Sequence, residues 1–413
     1  MSRSESSEHS TSPGESRTLR HLPGSVWALG LTSLFMDASS ELVHSLLPLF
    51  MASVLGVSMV AIGLIEGVAE AIASFTRVFS GVWSDRLRRR KPLVVLGYAL
   101  AALTKPVFPL AGSIGWVATA RFTDRIGKGI RGAPRDALVA DITPAESRGA
   151  AYGLRQALDS VGAFIGPSLA LLFMSLLASD IRRVLWVGVV PAFIAVALLV
   201  LFVREPSHDR HAPTAPSQKP RLSWHTVHLL TGPYWLVVAL AGVFTLARFS
   251  EAFLLLRAQN VGLAVAQVPL MMVVMNVIYA ALAYPAGRAS DKMDHRMLLT
   301  IGLLVLIGAD FILALGTSVR AALSGAVLWG AHMALTQGLF SKLIADEAPP
   351  QLRGTAFGVY HLATGMSALL ASVIAGALWE GVGPKATFLA GAVFAGVAAL
   401  GIAVHYLRAP LKG

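Results

Sequence analysis

Three side chains that can carry protons or bind metal stand at helical spacing near the start of the chain. Asp37, Glu41 and His44 follow the spacing i, i+4, i+7 and share one face of an α-helix, with Ser40 beside them. Two carboxylates and an imidazole in an apolar segment can take up and release protons. The same groups are ligands for a borderline divalent cation such as Zn²⁺ or Ni²⁺. In a third alternative they are structural, and a carboxylate pairs with an arginine of another helix.

Further ionisable residues follow in the apolar segments of the first half. Glu66 and Glu70 share a helical face with Arg77, but Glu70 and Arg77 are two turns apart, so their partners must lie on other helices. Arg155 and Asp159 are spaced to pair within one helix. Ionisable residues are most frequent in the predicted fourth span, where they form a stripe: Arg121, Asp124, Arg125, Lys128, Arg131 and Arg135. The stripe is either a solvated helix face or the wall of a cavity with acidic partners.

The second half carries fewer such groups. Arg248 and Glu251 are spaced i, i+3 and could pair, and Asp310, His332 and His361 are isolated in apolar surroundings. This asymmetry predicts that the coupling chemistry lies in the first half of the chain, and that the second half mainly shapes a cavity.

Composition explains why these charges stand out. Of 413 residues, 55% are hydrophobic and only 14% are charged, whereas a soluble domain has about 25% charged residues. Segments such as Val184–Val203 and Ala386–Val404 have the length of about 20 apolar residues that spans a bilayer as a helix. A soluble enzyme is thereby excluded. Because an ionisable side chain in a bilayer costs roughly 2.5–3.5 kcal/mol, each one that is retained is a functional candidate.

The elements that must position these residues are all helices. We predict an all-α polytopic membrane protein whose twelve spans cover approximately residues 25–54, 58–84, 92–111, 114–142, 149–177, 184–203, 229–257, 262–289, 297–317, 320–345, 354–379 and 385–406. The spans divide into two six-helix bundles at a polar, proline-rich linker. The predicted units are a disordered tail at 1–23, a bundle at 24–203, the linker at 204–228, a second bundle at 229–407 and a tail at 408–413.

Lysine and arginine in the loops predict the orientation. Basic residues concentrate in 86–91, 204–221, 288–296 and 408–412, which all lie on one side of a twelve-span protein. Arg182, Arg183, Arg320 and Lys385 are the minority on the other side. Both termini are therefore predicted to be cytoplasmic, in a bacterial inner membrane. The net charge of +11 belongs to these loops, so we predict no nucleic-acid partner. The absence of cysteine excludes disulfides and thiolate metal sites.

The two halves repeat each other. Gly81 and Asp85 in GVWSDR recur as Gly287 and Asp291 in GRASDK, an offset of 206 residues. A second set, from Ala140 to Gly153, recurs 205 residues later. A duplicated six-helix unit is a common plan of transporters, in which the substrate binds between the halves.

The first copy of this loop resembles the signature G-x-L-x-D-R-x-G-R-[RK] of the major facilitator superfamily. The matching residues are Gly81, Asp85, Arg86, Arg89 and Arg90, while Trp83 and Arg88 depart from it. The resemblance implies twelve transmembrane helices in two pseudo-symmetric bundles. It also implies that the loop, with Asp291 in the second copy, acts as a cytoplasmic gate between helices.

Two shorter matches resemble drug–proton antiporters within that superfamily. Gly162, Gly166 and Pro167 fit G-x-x-x-G-P, where the glycines allow close helix packing and the proline kinks the helix. The alternative is that this motif serves packing alone. Arg125, Lys128 and Gly129 fit R-x-x-Q-G, with lysine in place of glutamine.

These observations predict a secondary active transporter, specifically a proton-coupled antiporter that exports a small solute. An organic or phosphorylated anion transporter is the first alternative, because arginine and lysine are in surplus in the fourth span. A divalent metal exporter using Asp37, Glu41 and His44 is the second. The chain contains no H-E-x-x-H, G-x-S-x-G or P-loop pattern, so we predict no enzyme and no cofactor. The expected partners are substrate, protons and membrane lipid, and the expected state is a monomer.

Overall fold

The computed structural model describes residues 22–87, 90–144, 147–205, 228–349 and 352–408, and the regular structure in these ranges is helical. The helices of the first half are α1 (Gly24–Leu49, continued by a π-helical turn Phe50–Val54), α2 (Met59–Leu87), α3 (Lys91–Thr104 and Val107–Leu110), α4 (Ile114–Asp141), α5 (Arg148–Leu176) and α6 (Ile181–Val187 and Val189–Phe202). Those of the second half are α7 (Gly232–Ala247 and Ala252–Asn260), α8 (Leu270–Lys292), α9 (His295–Leu315), α10 (Val319–Thr336 and Leu339–Glu347), α11 (Arg353–Gly381) and α12 (Pro384–Arg408).

Each half packs its six helices in the same way. In the first, α1 packs on α5 and α6, α2 packs on α4, and α3 packs on α4 and α6. In the second, α7 packs on α11 and α12, α8 on α10, and α9 on α10 and α12. The partners correspond one to one after a shift of six helices. The prediction of two pseudo-symmetric six-helix bundles is therefore confirmed.

The seam between the halves is formed by α2 against α11 and by α5 against α8. Glycines allow close approach along the first pair, since a Cβ added to Gly67 would lie 2.8 Å from the carbonyl oxygen of Leu369. Near the beginning of α2, the backbone N–H of Val60 donates to Glu380 at 3.0 Å. In the second pair, the Asn276 amide donates to the carbonyl of Ala163 at 2.9 Å. The backbones of α2 and α11 thus approach closely, and each of these two hydrogen bonds across the seam joins a side chain to a backbone group.

Most of these helices can cross a membrane. Within the described ranges, nine are long and apolar enough by length and composition. The helix α4 does not meet this test, because it carries many charged residues. These side chains are buried inside the protein: Arg121, Asp124, Arg125 and Arg131 are at most 5% exposed. The outer surface is apolar, with side chains such as Leu201 and Leu400 more than two-thirds exposed, at 69% and 68%. This distribution is that of an integral membrane protein, which needs apolar groups outside and can keep paired charges within.

Four spans that the sequence predicts as continuous helices are broken. The break in α6 is the single residue Gly188. The break in α3 comprises Lys105 and Pro106, and the proline has no N–H to donate. The break in α10 is at Gly338, whose φ of +74° is a left-handed conformation that glycine adopts readily. The break in α7, between Ala247 and Ala252, contains neither proline nor glycine. A backbone that leaves the helix at this depth is tolerated where it is covered by protein or lines a cavity.

Candidate functional site

Close contact between α1 and α5 fixes the position of the first carboxylates. A Cβ added to Gly162 would lie 3.1 Å from the Cβ of Asp37, and one added to Gly166 would lie 2.8 Å from the Cβ of Glu41. Both added atoms would also meet α1 carbonyl oxygens at 2.5 Å, and Pro167 is buried next to this contact. The G-x-x-x-G-P motif therefore packs on the same turns of α1 that carry Asp37 and Glu41.

His44 lies between two carboxylates from different helices. Its Nδ1 is 3.5 Å from Glu41 on α1, and its Nε2 is 3.8 Å from Glu66 on α2. The Glu41 side chain is 24% exposed, that of His44 is 13% exposed and that of Glu66 only 1%. The imidazole thus links an accessible carboxylate to a buried one.

The buried end of this series is an ion pair. Glu66 accepts from Arg121 on α4 at 2.6 Å, and the two side chains are 1% and 2% exposed. In the described part of the chain the second oxygen of Glu66 and the Nε of Arg121 have no hydrogen-bond partner. One short hydrogen bond therefore joins the two side chains, while one buried polar atom of each has no hydrogen-bond partner.

A second network surrounds Asp124 and Arg125 on α4. Arg125 is 3.4 Å from Glu70 and 3.7 Å from Asp124. Asp124 is also 2.9 Å from Lys105 of α3, which in turn donates to Ser40 at 3.0 Å. Lys105 is 1% exposed and our sequence reasoning did not include it. A lone lysine within an otherwise apolar predicted span was the signal that could have found it.

Asp37 belongs to a third network and not to the group around His44. It lies 3.9 Å from Arg131, whose guanidinium is also 4.5 Å from the ring centroid of Tyr98. On α5, Asp159 pairs with Arg155 of the same helix at 2.7 Å and lies 3.8 Å from Arg135 of α4. The four arginines of the α4 stripe therefore contact acids of α1, α2 and α5.

The structure gives no support to metal binding by Asp37, Glu41 and His44. Among the residues that the structure describes, no group of three or more histidine, aspartate and glutamate side chains is arranged to hold a metal ion. Helical spacing places the three on one face, but Asp37 turns to Arg131 while Glu41 and His44 contact each other.

Lys128 differs from the other cations of α4. It is half-buried, and no described carboxylate lies within ion-pair distance of it. The acids close enough to act on it electrostatically are Glu70, Glu41 and Asp37. It is therefore a cation without a fixed partner among the described residues.

The structure describes only part of the predicted gating loop. A Cβ on Gly81 would be 3.5 Å from Ala133 of α4, and Arg90 pairs with Asp141 at 2.9 Å. Arg89 lies outside the described residues, as do the side chains of Asp85, Arg86 and Asp291. The gating role of the loop remains a prediction.

In the second half, Arg248 and Glu251 do not form the predicted pair. They flank the break in α7, where Arg248 ends one helical piece and Glu251 caps the next. Leaving the helix removes the i, i+3 geometry on which the prediction rested. Asp310 and His332 are 0% exposed, and each has a side-chain atom with no hydrogen-bond partner in the described ranges.

Comparison with known proteins identifies the family. A family model described as Major Facilitator Superfamily matches residues 29–256 and 246–413. An uncharacterized MFS-type transporter of Methanocaldococcus jannaschii is 33% identical over 92% of this chain and 94% of its own. The multidrug resistance protein MdtH of Edwardsiella ictaluri is 26% identical over 76% of this chain and 77% of its own.

Solved structures agree with the fold. The crystal structure of the nucleoside transporter NupG superimposes with a TM-score of 0.77 at 12% identity, covering 92% of this chain and all of that one. At this identity the likeness concerns the fold alone. Together with the family match over both halves, the paired bundles and the buried charge networks, it shows that this chain is an integral membrane protein of the major facilitator superfamily of transporters.

Proposed function

We propose that this chain is a proton-coupled antiporter that exports a small solute. The observation that supports it most is the position of His44 between Glu41 and Glu66. An imidazole between an accessible and a buried carboxylate can take up a proton from the side of Glu41. Its positive charge then acts on the buried carboxylate of Glu66.

The coupling step follows from the charges around Glu66. A proton on His44 adds a positive charge that competes with Arg121 for Glu66, because both cations face the same oxygen, Oε2. Weakening the Glu66–Arg121 pair loosens α2 from α4, and α2 also forms the seam with α11. Proton binding can therefore favour one arrangement of the two halves over the other.

Export is supported by resemblance. The relative from Edwardsiella ictaluri is a multidrug resistance protein by name, and Gly162, Gly166 and Pro167 fit the motif of drug–proton antiporters. We infer the same direction here, with protons moving inward as the solute leaves.

Anion transport is the second candidate. Lys128 has no described carboxylate at pairing distance although it stands among acids, and a free cation in a carrier cavity suits a carboxylate or phosphate substrate. A panel of charged and neutral solutes separates the candidates, because a general exporter accepts neutral and cationic solutes that an anion carrier rejects.

We also propose the location and orientation that the basic loops indicate: the bacterial inner membrane with both termini in the cytoplasm. The chain has no cysteine, so single cysteines can be introduced for labelling. A cysteine at Arg183 should react with an impermeant maleimide added outside intact cells, and one at Arg204 should react only after the cells are opened. The reverse pattern would invert the topology.

The test of proton coupling uses everted membrane vesicles that contain the protein and an imposed pH gradient, with a panel of fluorescent aromatic dyes as solutes. Uptake into the vesicles should stop when nigericin collapses the gradient. Uptake should also be lost in Glu41→Gln and kept in Lys342→Gln, an exposed position away from the charge networks. Dye uptake that is indifferent to nigericin would overturn the proposal.

A further inference from the structure

The break in α7 has the features of a ligand site in the second half. The first piece of α7 ends at Ala247 with Arg248 as its C-cap, and the second begins at Ala252 with Glu251 as its N-cap. Within the break, the backbone N–H of Ser250 donates to the hydroxyl of Ser372 on α11 at 3.3 Å. Discontinuous helices at membrane depth are the places where transporters expose backbone and side-chain groups to substrate. Because this break contains neither proline nor glycine, the backbone preferences of its residues do not explain why the helix is interrupted here.

Arg248 stands at this break, and no carboxylate of the described ranges lies within ion-pair distance of it. Its guanidinium carbon lies 5.7 Å from the ring centroid of Phe244, and its buried Nε finds no hydrogen-bond partner among the described residues. The titratable groups close enough to act on it are Glu251, Tyr360 and Tyr279. Guanidinium groups at such depth normally pair with an acid, because an unpaired charge there is costly.

The break in α7 and the charged stripe of α4 lie against the same helix pair of the first half. The second piece of α7, which begins at Ala252, packs on α1, the helix that carries Asp37 and Glu41. Lys128 of α4 stands between Arg125 and Arg131, which contact Glu70 of α2 and Asp37 of α1. Arg248 and Lys128 are therefore contributed by the two different halves to the region around α1.

We propose that Arg248 is the anchor for an acidic group of the substrate, and that the substrate is an aromatic or apolar organic anion held between Arg248 and Lys128. This rests on the proposed transport function and names its substrate class. The guanidinium fork matches a carboxylate, sulfonate or phosphate in two parallel bonds. Phe244 supplies an aromatic face at the cation, and the phenols of Tyr279 and Tyr360 can add hydrogen bonds.

The experiment measures binding to the purified full-length protein by thermal unfolding at constant ionic strength. The probes are benzoate, benzenesulfonate and phenyl phosphate, with benzyl alcohol and benzyltrimethylammonium as neutral and cationic analogues. The anions should raise the unfolding midpoint of the wild type and the two analogues should not. If no anion stabilises the wild type, or all five probes act alike, the proposal is wrong.

Variants locate the anchor. Arg248→Gln should weaken binding of the anions at least tenfold, and Lys128→Gln should weaken it by a smaller factor. Arg248→Lys keeps the charge without the fork, so it should fold normally yet still lose several-fold in affinity. Unchanged affinity in Arg248→Lys and Arg248→Gln, or in Arg248→Lys alone if the glutamine variant does not fold, would overturn the assignment.

Glu251→Gln separates a ligand anchor from a structural pair. If Arg248 serves only Glu251, this variant should lose anion binding as Arg248→Gln does; if Arg248 serves the ligand, binding should persist or tighten. The transport function fails independently. Gradient-driven export of neutral dyes that survives in Arg248→Gln would contradict the anion site and leave the antiporter intact. Anion binding without any proton-driven export would contradict the antiporter function and leave the anion site intact.

Discussion

Gly166 of α5 lies directly against Glu41 of α1, so closely that a methyl group at Gly166 would come within 2.8 Å of the Glu41 Cβ. The contact connects a packing motif with the carboxylate to which we assign proton transfer. It sets where Glu41 stands relative to His44, and through His44 relative to the Glu66–Arg121 pair.

Enlarging Gly166 should therefore disturb both packing and coupling. Gly166→Ala forces α5 away from α1, and we expect a loss of about 1–3 kcal/mol in the free energy of unfolding together with a loss of transport. Gly153→Ala is the matched control, since it lies on the same helix and an added Cβ there meets nothing within 4 Å. Equal effects of the two substitutions on thermal unfolding would contradict the close contact.

Breaking the buried pair should be more severe than breaking an exposed one. Glu66→Gln leaves Arg121 buried without a counter-charge, and we expect about 3–5 kcal/mol of destabilisation. The Arg183–Asp180 pair has side chains 72% and 40% exposed, so Arg183→Gln should cost less than about 1 kcal/mol.

The double variant Glu66→Gln/Arg121→Met tests whether this loss comes from the uncompensated charge. It should recover much of the stability lost in Glu66→Gln, because it removes the stranded guanidinium. Denaturation of the wild type, Glu66→Gln, Arg121→Met and the double variant in one detergent and lipid mixture measures the interaction between the two side chains. Additive losses in the double variant would show that Glu66 and Arg121 do not interact.

The two lysines of the first bundle should behave in opposite ways. Lys105 holds Asp124 at 2.9 Å and Ser40 at 3.0 Å, so Lys105→Met should lower stability by several kcal/mol, on the order of a broken buried pair. Lys128 has no described carboxylate at pairing distance, so Lys128→Met should change stability by no more than about 0.5 kcal/mol while it reduces solute transport. A large stability loss for Lys128→Met would mean that it has a structural partner after all.

Alternating access predicts that locking the seam stops transport. Glu380 accepts from the backbone of Val60 at 3.0 Å where α2 begins and α11 ends, and both residues are exposed. Because the chain has no cysteine, Val60→Cys/Glu380→Cys can be cross-linked with a short bifunctional reagent. Transport should cease on cross-linking and return when a cleavable reagent is cut. Full transport in the cross-linked protein would mean that this end of the seam does not open.

The fold followed from the sequence because its signals extend over many residues. Long apolar segments and the repeat of Gly81 and Asp85 as Gly287 and Asp291 predict two six-helix bundles. The breaks within α3, α6, α7 and α10 were not predicted. The α7 break in particular depends on tertiary contacts such as that of Ser250 with Ser372, which have no local signature.

The sequence pointed to the charged residues of the candidate site but not to the partners that they contact in the structure. Helical spacing placed Asp37, Glu41 and His44 on one face, and the structure divides them between Arg131 and Glu66. Spacing fixes an angle about one helix axis; it carries no information on which neighbouring helix faces each turn. For the same reason Lys105, which completes the environment of Asp124, emerged only from the packing of α3 on α4.

The most direct test of the account is the proton released when the solute binds. Purified protein in weakly buffered solution with a pH-sensitive dye is mixed with a solute that the vesicle assay shows to be transported. We expect the wild type to release protons on binding, and Glu41→Gln and His44→Gln to bind the solute with much less release. Solute binding by the wild type without proton release, or with release that is undiminished in both variants, would contradict proton coupling through Glu41, His44 and Glu66.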